Sequence, residues 1–249
     1  MSSRTTASIR HILLDIEGTV LPIAFVHDVL FPYARVRVKQ YLTSHFGSSE
    51  LLADLVKLRE EHVADAQQNL QPPPLVEGSQ DVEIDSLTAY LHWLIDRDRK
   101  STGLKSLQGK IWKEGYLDGT LKAELFEDVA RAMRIWRGAG LKISIFSSGS
   151  TLAQQLLFAH TNDGDLTSLI NSYFDTAIGP KTDVESYKKI ALSLNVQAPE
   201  VLFISDVVAE LDAASAAHLQ TVLCVRPGNH EQPDVHRHRV IQSFNDLES

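Results

Sequence analysis

Short apolar segments of strand type recur along the chain, and polar residues follow most of them. They are HILL before Asp15, LKISIF before Ser147, FDTAI at 174–178, VLFIS before Asp206 and TVLCV from position 221. Each segment is apolar on both faces, as in parallel strands that helices cover on both sides. Helical patterns separate the later segments, at 150–160, 184–194 and 208–219. This alternation predicts an α/β fold with a doubly wound, Rossmann-like parallel sheet.

Roughly a hundred residues separate the first strand segment from the second, far more than a crossover helix needs. The interval contains amphipathic patterns of helical period, which are FVHDVLFPYARVRVKQYL, LLADLVKLREEHVADAQ, SLTAYLHWLIDRD and LKSLQGKIWKEGYL. We therefore predict an inserted all-helical domain at 23–117 and a core formed by 1–22 and 118–249. A further helix, at 123–140, is expected to lead into the second strand.

The composition narrows the classes of molecule that the protein is expected to bind. The chain has 249 residues and a formal net charge of -8, whereas nucleic-acid binding needs Lys and Arg clustered on one face. The single cysteine, Cys224, excludes an intrachain disulfide. No stretch approaches the roughly 18 apolar residues of a membrane span. We therefore expect a monomeric cytoplasmic protein that acts on a small molecule and binds neither nucleic acid nor membrane, with nuclear entry left open.

Polar side chains lie at or just beyond the ends of four predicted strands. In chain order they are Asp15 and Glu17, Ser147 and Ser148, Lys181, and Asp206. Because the ligand site of a parallel α/β sheet lies outside the carboxyl ends of its strands, these side chains are expected to converge. Taken singly, each has a structural explanation, since such residues also cap helices or lie in solvent. Their joint placement at successive strand ends favours a functional site.

The charges at these strand ends indicate the chemistry. Asp15 and Glu17 need a cation or a positive substrate group between them, because repulsion and desolvation otherwise disfavour two acids so close together. Asp15 and Asp206, with Glu17 nearby, supply the oxygen ligands that suit Mg²⁺, which keeps waters and bridges to phosphate. Lys181 would add positive charge, and the Ser147 hydroxyl with the N–H groups of the SSGS helix start would hold a phosphoryl oxygen. The pattern therefore predicts Mg²⁺-dependent phosphoryl transfer with Asp15 as the attacking group.

The motifs also resemble those of a known family. DIEGT, FSSGS, GPKTDVESYKKI and ISDVVAELDAA resemble the four motifs of the haloacid dehalogenase superfamily. DIEGTVLPIAFVHDVLFPYAR, SSGSTLAQQLLFAHTNDGDL, SYFDTAIGPK and CVRPGN are similar, more narrowly, to the enolase-phosphatase family of methionine salvage. That resemblance implies enolisation of 2,3-diketo-5-methylthiopentyl-1-phosphate, followed by dephosphorylation to the acireductone 1,2-dihydroxy-3-keto-5-methylthiopentene. It also implies that the helical insertion is a cap that closes over small substrates.

The resemblance assigns a role to each candidate residue. Asp15 is implied to be the nucleophile and a Mg²⁺ ligand, and Asp206 a second Mg²⁺ ligand. The residues implied to bind the substrate phosphate are Ser147, Ser148 and Lys181. Glu17 is implied to contact the metal through its carbonyl, and its side chain is a candidate catalytic acid or base. Most phosphatases of the superfamily carry Asp at that position, whereas Glu is what the narrower family shows.

Two other functions remain open at this point. A general Mg²⁺-dependent phosphate-ester hydrolase would use the same residues on a different substrate. A noncatalytic phospho-receiver also combines Asp, Ser or Thr and Lys at strand ends. Its phosphorylated Asp follows the third strand, however, and it has no long helical insertion.

Several residues near these motifs are given structural roles. Asp206 and Glu210, four residues apart, have a structural alternative as capping and solvated residues of a helix start. The histidines of NHEQPDVHRHR have no helical or strand spacing and are interpreted as part of an exposed basic tail rather than a metal site; they are His230, His236 and His238. The tryptophans fall in helical patterns and are assigned to packing; they are Trp93, Trp112 and Trp136.

Overall fold

The chain divides into two compact units. The computed structural model describes residues 8–97, 99, 101–232 and 237–247. One unit, here called the sheet unit, is built from the chain up to Val26 and from Lys122 onward, and the other, the helical unit, is His27–Leu121. The sequence placed the two boundaries after residues 22 and 117, which is four residues earlier in each case. Each unit has a hydrophobic core of its own.

The helical unit contains four α-helices in its described residues. A π-helical segment, Phe25–Leu30, leads into α1 (Phe31–His45), which is followed by α2 (Ser49–Gln67), α3 (Gln80–Asp96) and α4 (Thr102–Leu117). Ser48 and Ser101 cap α2 and α4, because each hydroxyl accepts a backbone N–H of the first turn. Side chains from all four helices fill the core; they include Leu42, Leu58, Leu91 and Leu107.

The sheet unit contains a six-stranded parallel sheet, as far as the described residues show. Its strands are β1 (His11–Leu14), β2 (Lys142–Phe146), β3 (Ser172–Phe174), β4 (Val201–Ser205), β5 (Gln220–Cys224) and β6 (Arg239–Ile241), in the spatial order β3-β2-β1-β4-β5-β6. The helices are α5 (Val129–Gly138), α6 (Thr151–Ala159), α7 (Val184–Leu194) and α8 (Val208–Ala216). The predicted Rossmann-like parallel sheet is therefore confirmed. Within the described ranges, no helix is both long and apolar enough to span a lipid bilayer.

The strand register brings the polar residues after the central strands to one edge. Leu14, the last residue of β1, pairs with Ile145 of β2 and Ile204 of β4. The N–H of Asp15 then donates to the carbonyl of Ile204 at 3.0 Å, which continues the hydrogen bonding one residue beyond the strand. The backbone of Asp15 is therefore fixed by the sheet itself.

The third strand lies earlier than the sequence predicts. The FDTAI pattern indicated a strand at 174–178, whereas β3 ends at Phe174. Asp175 ends it, because its carboxylate accepts the N–H groups of Ala177 at 2.9 Å and Thr151 at 3.2 Å. Its carbonyl also accepts the N–H of Ile178 at 3.1 Å. These bonds turn the chain away from the sheet, as Asp commonly does at turns.

The helix before β2 is shorter than predicted, and β6 was not predicted. The helix expected at 123–140 begins only at Val129, because Ala123 forms a parallel bridge with Thr161 instead. Strand β6 has three residues, of which only Ile241 is buried. A strand this short and exposed at a sheet edge carries no apolar run that a sequence pattern could detect.

The C-terminal histidines have different environments. His238 is buried; its Nδ1 lies 2.7 Å from Thr221 Oγ1 and its Nε2 lies 3.0 Å from Asp212 Oδ1. The interpretation of an exposed basic tail is therefore wrong at this residue, which holds the start of β6 against β5 and α8. His230 is exposed, and His236 lies outside the described residues.

A buried histidine connects β1 to β2. His11 is almost fully buried, and its Nε2 lies 2.9 Å from Ser144 Oγ. Burial, with smaller contributions from the charges of Lys142 and Arg137, lowers the pKa of His11 from 6.5 to about 4. The neutral imidazole is therefore the form that the fold accommodates.

We predict that the protein loses stability in mild acid through His11. The unfolded chain takes up this proton near pH 6.5 and the folded chain only near pH 4, so the free energy of unfolding falls as the pH decreases between these values. The loss is about 2 kcal/mol between pH 7 and pH 5. Urea titrations at the two pH values measure this loss in the free energy of unfolding. In His11→Gln the loss should be smaller than in wild type by about 2 kcal/mol. Equal losses in the two proteins would contradict the assignment.

Candidate active site

Lys181 lies at the centre of a buried charge cluster at the carboxyl edge of the sheet. Its Nζ forms ion pairs with Asp15, directly after β1, and with Glu210 of α8, the second at 2.7 Å. The side chain of Lys181 is 11% exposed, and that of Asp15 is 5% exposed. Burial by itself would lower the pKa of Lys181, but the charges of Asp15 and Glu210 outweigh it and raise that pKa. Lys181 is therefore a cation at neutral pH.

Two residues of α7 hold the loop that carries Lys181. Tyr187, which is fully buried, donates its O–H to the carbonyl of Lys181 at 2.6 Å, and Ser186 donates to the carbonyl of Pro180 at 2.7 Å. These bonds explain the spacing of GPKTDVESYKKI, in which Ser and Tyr come in the first turn of the helix that follows the lysine. The ammonium group reaches Asp15 from a backbone fixed at two carbonyl groups.

Glu210 belongs to this cluster, and the sequence interpretation missed it. Its carboxylate pairs with Lys181 and accepts a hydrogen bond from Ser205 Oγ at 2.9 Å. The residue is buried, so the alternative of a solvated helix-start residue does not hold. The available signal was the spacing, because residues four apart near a helix start face the same side. Asp206 and Glu210 show that spacing.

Asp206 lies against a glycine of the loop after β1. Gly18 has a positive φ of 73°, and a Cβ on this residue would lie 2.3 Å from Asp206 Oδ2. The N–H of Gly18 donates to the carbonyl of Leu21 at 2.8 Å, which closes the loop. Only a residue without a side chain permits both this backbone conformation and the close approach of the carboxylate.

The cluster has more buried negative charge than positive charge. Burial, followed by the charges of Asp15 and Glu210, raises the pKa of Asp206 to about 7. Burial and then the charge of Asp15 raise the pKa of Glu210 to about 7. These shifts indicate a shortage of positive charge, which a divalent cation would supply. The donors are all oxygen atoms, the ligands that Mg²⁺ prefers.

The number of side-chain ligands also fits a hydrated cation. Among the described residues, no three His, Cys, Asp or Glu side chains form a complete metal site by themselves. Mg²⁺ does not require such a site, because it usually keeps several waters and is bound by one or two carboxylates together with substrate phosphate. The predicted ligands Asp15 and Asp206 provide that number of carboxylates.

Ser147 and Ser148 lie in a loop that is held between β2 and α6. Ser147 is buried; its N–H donates to the carbonyl of Phe174 at 3.2 Å, and its Oγ accepts the N–H of Gly149 at 3.1 Å. The buried amide of Gln154 donates to the carbonyls of Gly149 and Phe174, at 2.8 and 2.9 Å. Ser148 is exposed. The backbone of this loop is therefore fixed at Ser147 and Gly149.

Glu17 occupies the loop between Asp15 and Gly18. Its side chain is half-buried, and its backbone forms a bridge with Leu21. The carbonyl of Ile16 accepts the N–H groups of the residues that follow; these are Thr19, Val20 and Leu21. Glu17 is thus on the same tight loop as the nucleophile candidate, and its catalytic role stays a prediction.

The loop after β5 is attached to the loops of this site. The side-chain amide of Asn229 donates to the carbonyl of Gly18 at 3.0 Å, and the side-chain oxygen of Gln232 accepts the N–H of Val208 at 2.9 Å. Arg226, which is buried, forms an ion pair of 2.9 Å with Asp128. The CVRPGN motif therefore connects the end of β5 to the loop after β1 and to the helix before β2.

Comparison with known proteins identifies the family to which this chain belongs. Residues 9–218 match the haloacid dehalogenase-like hydrolases. The chain belongs to this family. The crystal structure of UTR4 protein from Saccharomyces cerevisiae is similar to this haloacid dehalogenase-like chain with a TM-score of 0.76 and 33% sequence identity, covering 95% of this chain and 99% of that one.

Curated relatives within the haloacid dehalogenase-like hydrolases carry a more specific name. Enolase-phosphatase E1 of Synechococcus elongatus is 49% identical over 242 residues, which cover 96% of this chain and 98% of that protein. Enolase-phosphatase E1 of Sorangium cellulosum is 44% identical, over 96% and 97% of the two chains. A Vitis vinifera protein named "Probable bifunctional methylthioribulose-1-phosphate dehydratase/enolase-phosphatase E1 1" is 42% identical, and this chain spans 48% of its length. The resemblance to the enolase-phosphatase family is therefore confirmed.

We predict that Gly18→Ala destabilises the protein more than a second glycine substitution with similar backbone strain. Gly140 has a φ of 84° and nothing within 4 Å of its Cβ position, so Gly140→Ala introduces strain without a clash. That strain should cost about 1–2 kcal/mol. In Gly18→Ala, the clash with Asp206 should add about 1–3 kcal/mol. Urea unfolding of both variants measures the difference, and equal losses would show that Asp206 does not approach Gly18 so closely.

Proposed function

We propose that this haloacid dehalogenase-like protein is an enolase-phosphatase of methionine salvage. It would convert 2,3-diketo-5-methylthiopentyl-1-phosphate to 1,2-dihydroxy-3-keto-5-methylthiopentene and inorganic phosphate. The observation that carries the proposal is the ion-paired cluster of Asp15, Lys181 and Glu210 in a chain 49% identical to an enolase-phosphatase E1 over nearly its whole length. The helical unit is assigned the role of a cap domain by the same resemblance.

Asp15 is the proposed nucleophile for phosphoryl transfer. A carboxylate oxygen of Asp15 forms a bond to phosphorus as the bond from phosphorus to the enol oxygen breaks, and water then hydrolyses the aspartyl phosphate to regenerate Asp15. The ion pair with Lys181 supports this role, because a neighbouring cation favours the ionised carboxylate that attack requires. Lys181 would also stabilise negative charge on the transferring phosphoryl group.

Asp15 and Asp206 are proposed to hold Mg²⁺, with the carbonyl of Glu17 as a further ligand. When bound, Mg²⁺ would neutralise charge on the two carboxylates and on the phosphoryl group. Ser147, Ser148 and the N–H groups at the start of α6 are proposed to bind the phosphoryl oxygens. Support comes from the fixed backbone of that loop, in which the Ser150 hydroxyl accepts the N–H of Ala153 at 3.3 Å and begins α6 directly after the two serines.

Enolisation is proposed to precede phosphate release. Removing a proton from the carbon that bears the phosphate ester makes the leaving group an enol oxygen, which is a better leaving group than an alkoxide. The step needs a base and an electrophile that stabilises the developing enolate. Glu17 is the candidate base, because it lies on the loop of Asp15 and its side chain is half-buried.

Location and oligomeric state belong to the same proposal. The protein is expected to be cytoplasmic and monomeric, with no nucleic-acid or membrane partner. Size-exclusion chromatography with light scattering would test the monomer, which should have a mass near 27.7 kDa. A nuclear location is not proposed.

The decisive experiment presents the diketone phosphate and Mg²⁺ to the purified protein. Acireductone absorbance and free phosphate should both appear with wild type. Asp15→Asn should release no phosphate, because an amide is a poor nucleophile. A general phosphate-ester hydrolase would release phosphate from other small esters at least as fast and form no acireductone. A phospho-receiver would turn over none of them, and either result would contradict the proposal.

Lys181→Ala should lower kcat/KM by about 10² or more, because the phosphoryl group loses its fixed cation and two buried carboxylates lose their partner. Lys181→Arg should rescue poorly, since the guanidinium fork differs from a point charge. Lys188→Ala is the matched control, because Lys188 pairs with Glu185 on the exposed face of α7. Wild-type kinetics in Lys181→Ala would assign this lysine a structural role.

Asp206→Asn should raise the Mg²⁺ concentration needed for half-maximal activity by roughly tenfold or more, on the scale of metal-site substitutions. EDTA should abolish turnover of the wild type, and added Mg²⁺ should restore it. Asp212→Asn on α8, the helix that follows Asp206, is the control, because the Asp212 side chain is 69% exposed and pairs with His238. If the Mg²⁺ dependence of Asp206→Asn is unchanged, Asp206 is not a ligand.

A further inference from the structure

Asn229 contributes a buried oxygen atom that has no partner among the described residues. Its Nδ2 donates to the carbonyl oxygens of Gly18 and Cys224, at 3.0 and 3.2 Å. These bonds fix the orientation of the amide, since an oxygen in place of Nδ2 would face two acceptors. The opposite end, Oδ1, is buried and accepts no hydrogen bond from any described residue.

This oxygen lies beside the carboxylate of Asp206. The position that a Cβ would take on Gly18 is 3.0 Å from Asn229 Oδ1 and 2.3 Å from Asp206 Oδ2. Both distances are measured to the same point, so the two acceptor oxygens are separated by no more than the sum of these distances. An unsatisfied buried acceptor costs about 1–3 kcal/mol, so a donor is expected between these oxygens. A single water molecule can bridge two acceptors at such a separation.

We propose that Asn229 is a positioning residue of the metal site, whose Oδ1 accepts a hydrogen bond from a water of the hydrated cation held by Asp206. The inference rests on the Mg²⁺ site of the proposed function. Mg²⁺ keeps several waters when it binds to proteins, and a cation makes its waters stronger donors. Partners that orient the ligands of a metal typically contribute ten- to hundredfold to its affinity, so the orientation of this water is worth testing.

A purely structural role for Asn229 makes a different prediction. In that case the residue only connects the loop after β5 to the loop after β1, and its removal would weaken the fold. Gln232 supplies a matched comparison, because it attaches the same loop to the N–H of Val208 at 2.9 Å. Its side-chain oxygen has a backbone donor and is not left unpaired as Asn229 Oδ1 is.

The test is calorimetric titration of Mg²⁺ into the full-length protein without substrate. We expect the Kd for Mg²⁺ to rise by roughly ten- to hundredfold in Asn229→Ala. In Gln232→Ala the rise should be smaller than about threefold, because that variant loses an attachment of the loop but no acceptor for the water. An unchanged Kd in Asn229→Ala, or equal weakening in both variants, would overturn the proposal.

A second variant separates the two ends of the side chain. Asn229→Asp keeps an oxygen facing Asp206 but replaces the donor group with an acceptor that faces the carbonyls of Gly18 and Cys224. It should lower the melting temperature of the metal-free protein, while its Kd for Mg²⁺ should stay at or below the wild-type value. Weaker Mg²⁺ binding by this variant would overturn the proposal.

These titrations are independent of turnover. A wild-type protein that binds Mg²⁺ but forms no acireductone would contradict the proposed function and leave the role of Asn229 to be decided by its variants. A wild-type protein that binds no Mg²⁺ would overturn the inference about Asn229 directly.

Discussion

The ion pairs of Lys181 with Asp15 and Glu210 are the interaction on which the candidate site depends. A buried charge that loses its partner typically costs about 3–5 kcal/mol, so the two buried carboxylates depend on the ammonium group of Lys181 for compensation. Asp15 and Lys181 are 166 residues apart in sequence. The sheet brings them together by placing β1 at its centre, with β2 on one side and β4 on the other. The strand order therefore brings these charged groups together so that they compensate each other.

The backbone around the cluster is fixed by side chains that take no part in its charge balance. Tyr187 and Ser186 hold the loop of Lys181, Gln154 holds the loop of Ser147, and Asn229 holds the loop of Gly18. Each of these side chains bonds to backbone carbonyls and is supplied by a helix or loop later in the chain. Such support is what keeps reacting groups within the small tolerances that catalysis requires. It also explains why the motifs extend beyond the residues that bear the chemistry.

The sequence could predict the parallel sheet, the helical insertion and the convergence of Asp15 and Lys181, because strand ends of a parallel sheet share one edge. It could not predict Glu210 as the second partner of Lys181. A glutamate at a helix start is compatible with solvent exposure, and only the fold shows that this one is buried. It also placed β3 too late, because the apolar residues of FDTAI satisfy a strand pattern while the side chain of Asp175 ends the strand. The environment of His238 was missed for a related reason, since a short edge strand leaves no periodic signal. What pattern analysis misses here are single hydrogen bonds and pairings between distant segments.

The charge count links cation binding to substrate binding. An ammonium group has three N–H donors, and Asp15 and Glu210 accept from two of them, so one is left for a phosphoryl oxygen. With the carboxylate of Asp206 included, the cluster has three acids and one ammonium group, which is a net charge of -2 when all of them are ionised. A phosphate monoester adds about two further negative charges near neutral pH. In the proposed function, Lys181 alone would supply too little positive charge for the phosphoryl group, so we expect the divalent cation to be bound when the phosphate enters. Burial, followed by the negative charges of Asp15 and Glu210, raises the pKa of Asp206 to about 7 in the protein alone.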